Sequence, residues 1–187
     1  MTERAVYNRL RELREHFMPP PGLTYPEISD GMLVMTMSPC SRHEVTVADV
    51  RDQLVPQLPD GVGAFEAADI GSEVLGKLRV PDIVVTTGEA TMPLLAVEVV
   101  FPSSPGTDYE DKSRDYPAMG IPHYLIVDPR DGTWTYQWEI GGWRGSPEYE
   151  NRLHLPYGNT VTIAGRWQVE TGGLPLYPCT DTMLPPE

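Results

Sequence analysis

Three apolar runs dominate the middle of the chain and set its architecture. Ile83-Val84-Val85, Leu94-Leu95-Ala96-Val97-Glu98-Val99-Val100-Phe101 and Tyr124-Leu125-Ile126-Val127 are apolar at successive positions. That pattern belongs to strands covered on both faces. Before them, Val6, Leu10, Leu13 and Phe17 recur at helical spacing, predicting an amphipathic helix over residues 3 to 17 that Met18-Pro19-Pro20-Pro21-Gly22 ends. Thr24 to Met37 reads as a hairpin turning at Asp30-Gly31, whose strands start the sheet. A second helix opens at Ser38-Pro39 or Ser41 and carries Val47, Val50 and Leu54 inward until Pro56 or Pro59.

Gly63 to Ile70 reads as a short strand, and Gly71 to Arg79 as a turn and edge segment on which Lys77 and Arg79 are exposed guards against edge pairing. Only 16 positions separate Asp82 from Glu98. That is too short for a helical crossover, so their strands should pair antiparallel around a loop at Gly88 to Pro93. Pro102-Ser103-Ser104-Pro105 breaks the strand, and Thr107 to Met119 follows as a helix. Trp134 to Ile140 alternates with one aromatic face, read as core or, preferably, a subunit interface. Beyond Gly141, strand-like pieces stand at Arg152 to Leu155, Thr160 to Ile163 and Arg166 to Val169, and the Pro-rich last dozen residues read as a flexible tail. The expectation is one α/β (α+β) domain over 1–187, with a core at about 20–140 and an extension at 141–187.

Polar residues interrupt these runs where chemistry would need them. Asp82 starts one strand and Glu98 falls late in the next, so antiparallel pairing brings both carboxylates to one end. Asp108, Lys112 and Tyr116 follow at i, i+4 and i+8 on one helical face. The chain has two lysines, Lys77 and Lys112, against twelve arginines, so an ammonium has been kept at 112. Two carboxylates can hold a divalent cation and an amine can poise water or steady a phosphate oxygen, the minimum kit for metal-assisted phosphodiester hydrolysis. The plainer readings are a turn cap for Asp82, a buried ion pair between Glu98 and an arginine or Lys112, and packing roles for Asp108 and Tyr116. His43 and Glu44 open the second helix, where a lone His is either a structural hydrogen-bonder or part of a site. Asp128 reads as the holder of a turn before Pro129.

A chain of 187 residues buries a real core without staples. Cys40 and Cys179 have no metal-type spacing, which suits a reduced cytoplasmic protein. No stretch approaches the roughly 18 apolar residues of a membrane helix, and Met1-Thr2-Glu3-Arg4 lacks a signal peptide's apolar core. The net charge of −13 argues against tight non-specific binding to a polyanion. No serine sits in a nucleophile elbow, and there is no phosphate-cradling glycine loop.

The chain resembles the Uma-two family of restriction endonucleases, a branch of the PD-(D/E)XK nuclease superfamily. The resemblance rests on Asp30-Gly31 with Leu33-Val34-Met35, Ser38-Pro39, His43, Pro81-Asp82, Glu98-Val99, Pro102-Ser103, Asp108, Lys112, Tyr116, Gly120, Tyr124 and Val127-Asp128-Pro129. It implies a central mixed sheet flanked by helices, with Asp82, Glu98 and the Val99 backbone carbonyl as ligands of Mg2+ or Mn2+. The superfamily's usual lysine position, two after the glutamate, is Val100 here, and the resemblance transfers that role to Lys112. His43, Asp108 and Tyr116 would line the site, and Phe101 stands where a small residue is expected, narrowing its mouth. The expected function is metal-dependent DNA cleavage by a homodimer. The alternative is an inactive nuclease-fold module for interaction or dimerisation.

Overall fold

A computed structural model describes residues 2–88, 93–101, 106–142 and 146–177. Four features expected from the sequence lie outside those residues: Pro102-Ser103-Ser104-Pro105, the middle of the Gly88 to Pro93 loop, Cys179 and the C-terminal tail. Among the described residues, a six-stranded sheet, a four-stranded sheet and a two-stranded hairpin are packed with helices.

The larger sheet has six strands in the order β10-β9-β8-β7-β6-β3. These are β3 Val62–Glu66, β6 Ile83–Thr87, β7 Pro93–Val99, β8 His123–Asp128, β9 Thr133–Gly141 and β10 Glu148–Pro156. β6 and β7 pair antiparallel as the short connection requires, with Ile83 opposite Val97 and Val84 opposite Ala96. β7 and β8 are parallel, joined by a helical crossover. The sheet is therefore mixed. β7 lies between β6 and β8, and its doubly apolar sequence follows from two covered faces.

Leu95, Val97 and Val99 point to one face, where α2 (Ser41–Leu54) lays Val47, Val50 and Leu54 against them. Ala96 and Val100 point to the other, packing with Tyr116, Ile121, Tyr124 and Ile126. The aromatic face of β9 belongs to the first core. Trp134 and Tyr136 are buried there with Val161, Ile163, Trp167 and Val169 of the antiparallel hairpin β11 (Val161–Ile163) and β12 (Trp167–Val169). The interface expected on that face is thus covered by the chain's own hairpin.

The Asp30-Gly31 hairpin forms with the turn the sequence predicts. β1 (Glu27–Ser29) and β2 (Met32–Val34) are joined by two residues at φ 51° and 73°, matching the twist of the strands. It does not start the main sheet, however. It belongs to a second sheet in the order β2-β1-β5-β4, with β4 Ile70–Ser72 and β5 Lys77–Arg79. β5 is consequently interior, and Arg79 is buried rather than an exposed edge guard. Its guanidinium bonds the Asp115 carboxylate and Glu27 Oε2 (2.8 Å). α1 (Glu3–Glu15) packs on this sheet through Tyr7 and Leu10. Leu13, expected inside, is 47 % exposed, and Arg14 is buried in its place, pairing with both Asp69 oxygens at 2.6 and 2.7 Å.

Arg79 joins a strand of the small sheet to the helix that covers the large one. The Arg79→Met variant leaves Glu27 and Asp115 without that cation, and its expected cost is about 3–5 kcal/mol of unfolding free energy, read by urea titration. A loss under about 1 kcal/mol would mean that Lys77, 3.7 Å from Asp115, carries the pair instead.

Candidate active site

Asp82 stands one step beyond the Ile83–Val97 pair, which sets it level with Glu98 at one end of β6 and β7. The Val99 N–H donates to Asp82 Oδ2 at 2.7 Å, fixing the carboxylate against the neighbouring strand. From the first turn of α2, His43 Nε2 reaches Val99 O at 3.1 Å and Asp82 Oδ2 at 3.2 Å. His43 is buried and its Nδ1 has no partner among the described residues. Burial opposes a proton on this ring, but the bond to Asp82 and the Val99 carbonyl outweigh it and raise the His43 pKa. Glu44 is exposed and does not share the position.

Glu98 shares a face with Ala96 and Val100, beneath the helix that follows β7. That helix is π-helical over Thr107–Lys112 and continues as α3 (Ser113–Ala118). Its wider first turn still brings Asp108, Lys112 and Tyr116 to one place. Lys112 Nζ lies 2.8 Å from Glu98 Oε2 and 3.1 Å from Asp108 Oδ1, and the Tyr116 hydroxyl donates to Glu98 Oε1. All four side chains are buried. The Tyr124 hydroxyl donates to the Asp108 main-chain oxygen at 2.9 Å and steadies the turn.

Burial pushes the Glu98 carboxyl well above its ordinary range, with Lys112 as the opposing influence, and raises Asp108 in the same way. Burial also opposes the charge on Lys112, but Glu98, Asp108, Glu27 and Asp82 together hold its pKa well above the usual value. One ammonium therefore serves several carboxylates in a desolvated pocket, an arrangement that favours the arrival of another cation.

Among the described residues, the structure gathers Asp82, Glu98, Lys112, His43 and Asp108 around one cleft of about 500 Å³, whereas Tyr116, expected to line it, is fully buried behind Glu98. Val100, at the superfamily's usual lysine position, is fully buried among aromatic side chains, and Lys112 takes the place beside Glu98. Phe101 lines the cleft with its ring edge toward His43, 6.3 Å between centroids. Asp128 holds the turn after β8 through bonds from Arg130 and the Tyr109 hydroxyl. Sequence reasoning missed Glu27. It accepts from Val80 N–H at 2.9 Å, pairs with Arg79 and stands 3.9 Å from Lys112 Nζ. Nothing in a polar strand residue before Ile28 distinguishes it from a solvated one.

No three His, Cys, Asp or Glu side chains among the described residues form a ready-made metal cage. The donor set instead joins side chains to a main-chain carbonyl. Two of its members, Asp82 Oδ2 and Val99 O, both lie within 3.2 Å of His43 Nε2. His43 Nε2 thus stands between those two oxygens, and with Glu98 lining the same cleft they supply the hard oxygen donors that a divalent cation prefers.

The six-stranded mixed sheet with helical cover is a restriction-endonuclease-like nuclease fold. The family model described as "Putative restriction endonuclease", Uma2, matches residues 13–163, and the chain belongs to that Uma-two family. A solved structure of similar fold is described as a putative nuclease belonging to DUF820 from Anabaena variabilis ATCC 29413. It has 13% identity and a TM-score of 0.63, covering 81% of this chain and 87% of that one. No curated protein matches the sequence. No helix among the described residues is long and apolar enough to cross a membrane.

The Glu98–Lys112 contact is testable by itself. Glu98→Gln and Lys112→Met should each destabilise, and the double variant should lose less than their sum, with a coupling of about 0.5–3 kcal/mol in denaturant titrations. Strict additivity would mean that Tyr116 alone holds the carboxylate.

Proposed function

We propose that this chain is a divalent-metal-dependent endonuclease that hydrolyses phosphodiester bonds in DNA. The observation that carries the reading is that Asp82, Glu98, Val99 and Lys112 line one cleft, with Lys112 Nζ 2.8 Å from Glu98 Oε2. Asp82, Glu98 and the Val99 carbonyl would hold Mg2+ or Mn2+. Such an ion, when bound, supplies Lewis-acid polarisation of a phosphoryl oxygen and a more acidic water. Lys112 presents a charged, desolvated ammonium to the attacking water or to a phosphate oxygen. Asp108 and Glu98 fix the direction of its N–H bonds, and Tyr116 holds Glu98 in its rotamer. His43 secures the first turn of α2 against Asp82 and the Val99 carbonyl, so all donors keep their positions without rearrangement.

The net charge of −13 favours a second reading, a nuclease-fold interaction module without catalysis. Titration calorimetry with Mn2+ separates the two. The nuclease reading expects saturable binding that Asp82→Ala abolishes, and no heat of binding supports the module.

Asp82→Ala, Glu98→Ala and Lys112→Ala are each expected to lower Mg2+-dependent cleavage of a labelled DNA at least roughly a hundredfold, measured on protein whose circular dichroism verifies folding. Undiminished cleavage by all three variants removes the mechanism.

A further inference from the structure

The walls of the cleft are as informative as its floor. Glu27, Asp82, Glu98 and Asp108 gather at the floor, and one wall is the β1–β2 hairpin with its flanks. Among Thr24, Ser29, Asp30 and Thr36, that wall carries an apolar group: Tyr25, Met32, Val34 and Met37 line it at 43, 59, 37 and 40 % exposure, and Phe101 also lines the cleft. Exposed Met, Val and aromatic side chains gathered beside a reactive centre call for an occupant with a flat apolar surface. The Tyr25 ring is also held still. Its hydroxyl donates to the Arg14 carbonyl at 3.3 Å, the Arg14 guanidinium lies 4.6 Å from its centroid, and Arg14 is locked by Asp69.

The cations of the cleft tell the same story. Among its described lining residues these are Arg79 and Lys112, each already engaged by two carboxylates. Neither is free to track a sugar-phosphate backbone, and double-stranded DNA draws its affinity from such contacts. A single strand can instead be gripped through base stacking, which tolerates any sequence. The cleft's volume of about 500 Å³ is that of a small-molecule site, within the roughly 300–1,000 Å³ of such pockets.

Building on the nuclease reading, we propose that the substrate is single-stranded or splayed DNA. An unpaired base lies against the Tyr25, Met32 and Phe101 wall while its phosphate would meet the divalent ion held by Asp82 and Glu98, beside Lys112. Binding energy comes from the hairpin wall, and strand separation is a condition of entry.

The test uses a fluorescein-labelled single strand, the same strand annealed to its complement, and a forked duplex. Anisotropy is measured with full-length protein, and cleavage is measured with Mg2+ or Mn2+. The expected result is that the single strand binds and is cut about tenfold better than the duplex, that the fork is cut in its unpaired arm, and that Tyr25→Ala weakens single-strand binding about tenfold. Tyr25→Phe, which keeps the ring, should retain binding and so guards against a folding artefact. Equal or stronger binding and cutting of the duplex overturns this inference while leaving the nuclease reading intact. If no DNA is cut with either metal, the nuclease reading fails, and anisotropy still decides the stacking wall. Single-strand preference sensitive to Tyr25→Ala upholds it, and absence of that preference ends it.

Discussion

A carboxylate near the end of a strand covered on both sides needs a partner, and Glu98 sets that requirement for the whole site. In an apolar pocket its charge is costly unless hydrogen-bond donors or a cation meet it. Lys112 and Tyr116 meet both oxygens from consecutive turns of the helix that follows the strand. Lys112, buried in turn, draws in Asp108 and stands near Glu27, and Glu27 is secured by Arg79, which also holds Asp115 of the same helix. The chain of charges therefore runs from the large sheet through the crossover helix to the small sheet. Each link offsets part of the desolvation penalty of the one before it.

This network concentrates acidic groups in the cleft, where, among the described lining residues, Glu27, Asp82, Glu98 and Asp108 outnumber the single ammonium of Lys112. The strong overall negative charge disfavours wrapping a duplex. A divalent ion at the floor and an apolar hairpin wall would together replace the basic surface that most DNA-binding proteins use.

Much of this was legible in the residues themselves. The apolar runs around Val84, Val97 and Ile126 located the central strands, the short spacing from Asp82 to Glu98 required antiparallel pairing, and the i, i+4, i+8 series located Asp108, Lys112 and Tyr116 together. Three features were not legible. The hairpin's sheet membership depends on β5, a three-residue strand too short to show a period. Arg14 and Arg79 are buried because carboxylates far away in sequence, Asp69, Glu27 and Asp115, meet them. A pattern of polarity records exposure but not pairing, so these looked like surface charges. The aromatic face of β9 was correctly seen as apolar, but what covers it is a hairpin some 25 to 35 residues further on, as the Trp134, Val161 and Trp167 cluster records.

That hairpin has a consequence for the order of events at the ribosome. Every residue assigned to the cleft has been polymerised once Lys112 is added, but the first hydrophobic core stays open until Trp167 and Val169 arrive to seal Trp134 and Tyr136. A nascent chain that emerges N-terminus first thus carries the cleft residues on an unsealed scaffold while the stretch from Ser113 to Val169 is added. The scaffold under the cleft is complete only late, when the last strands close over the sheet.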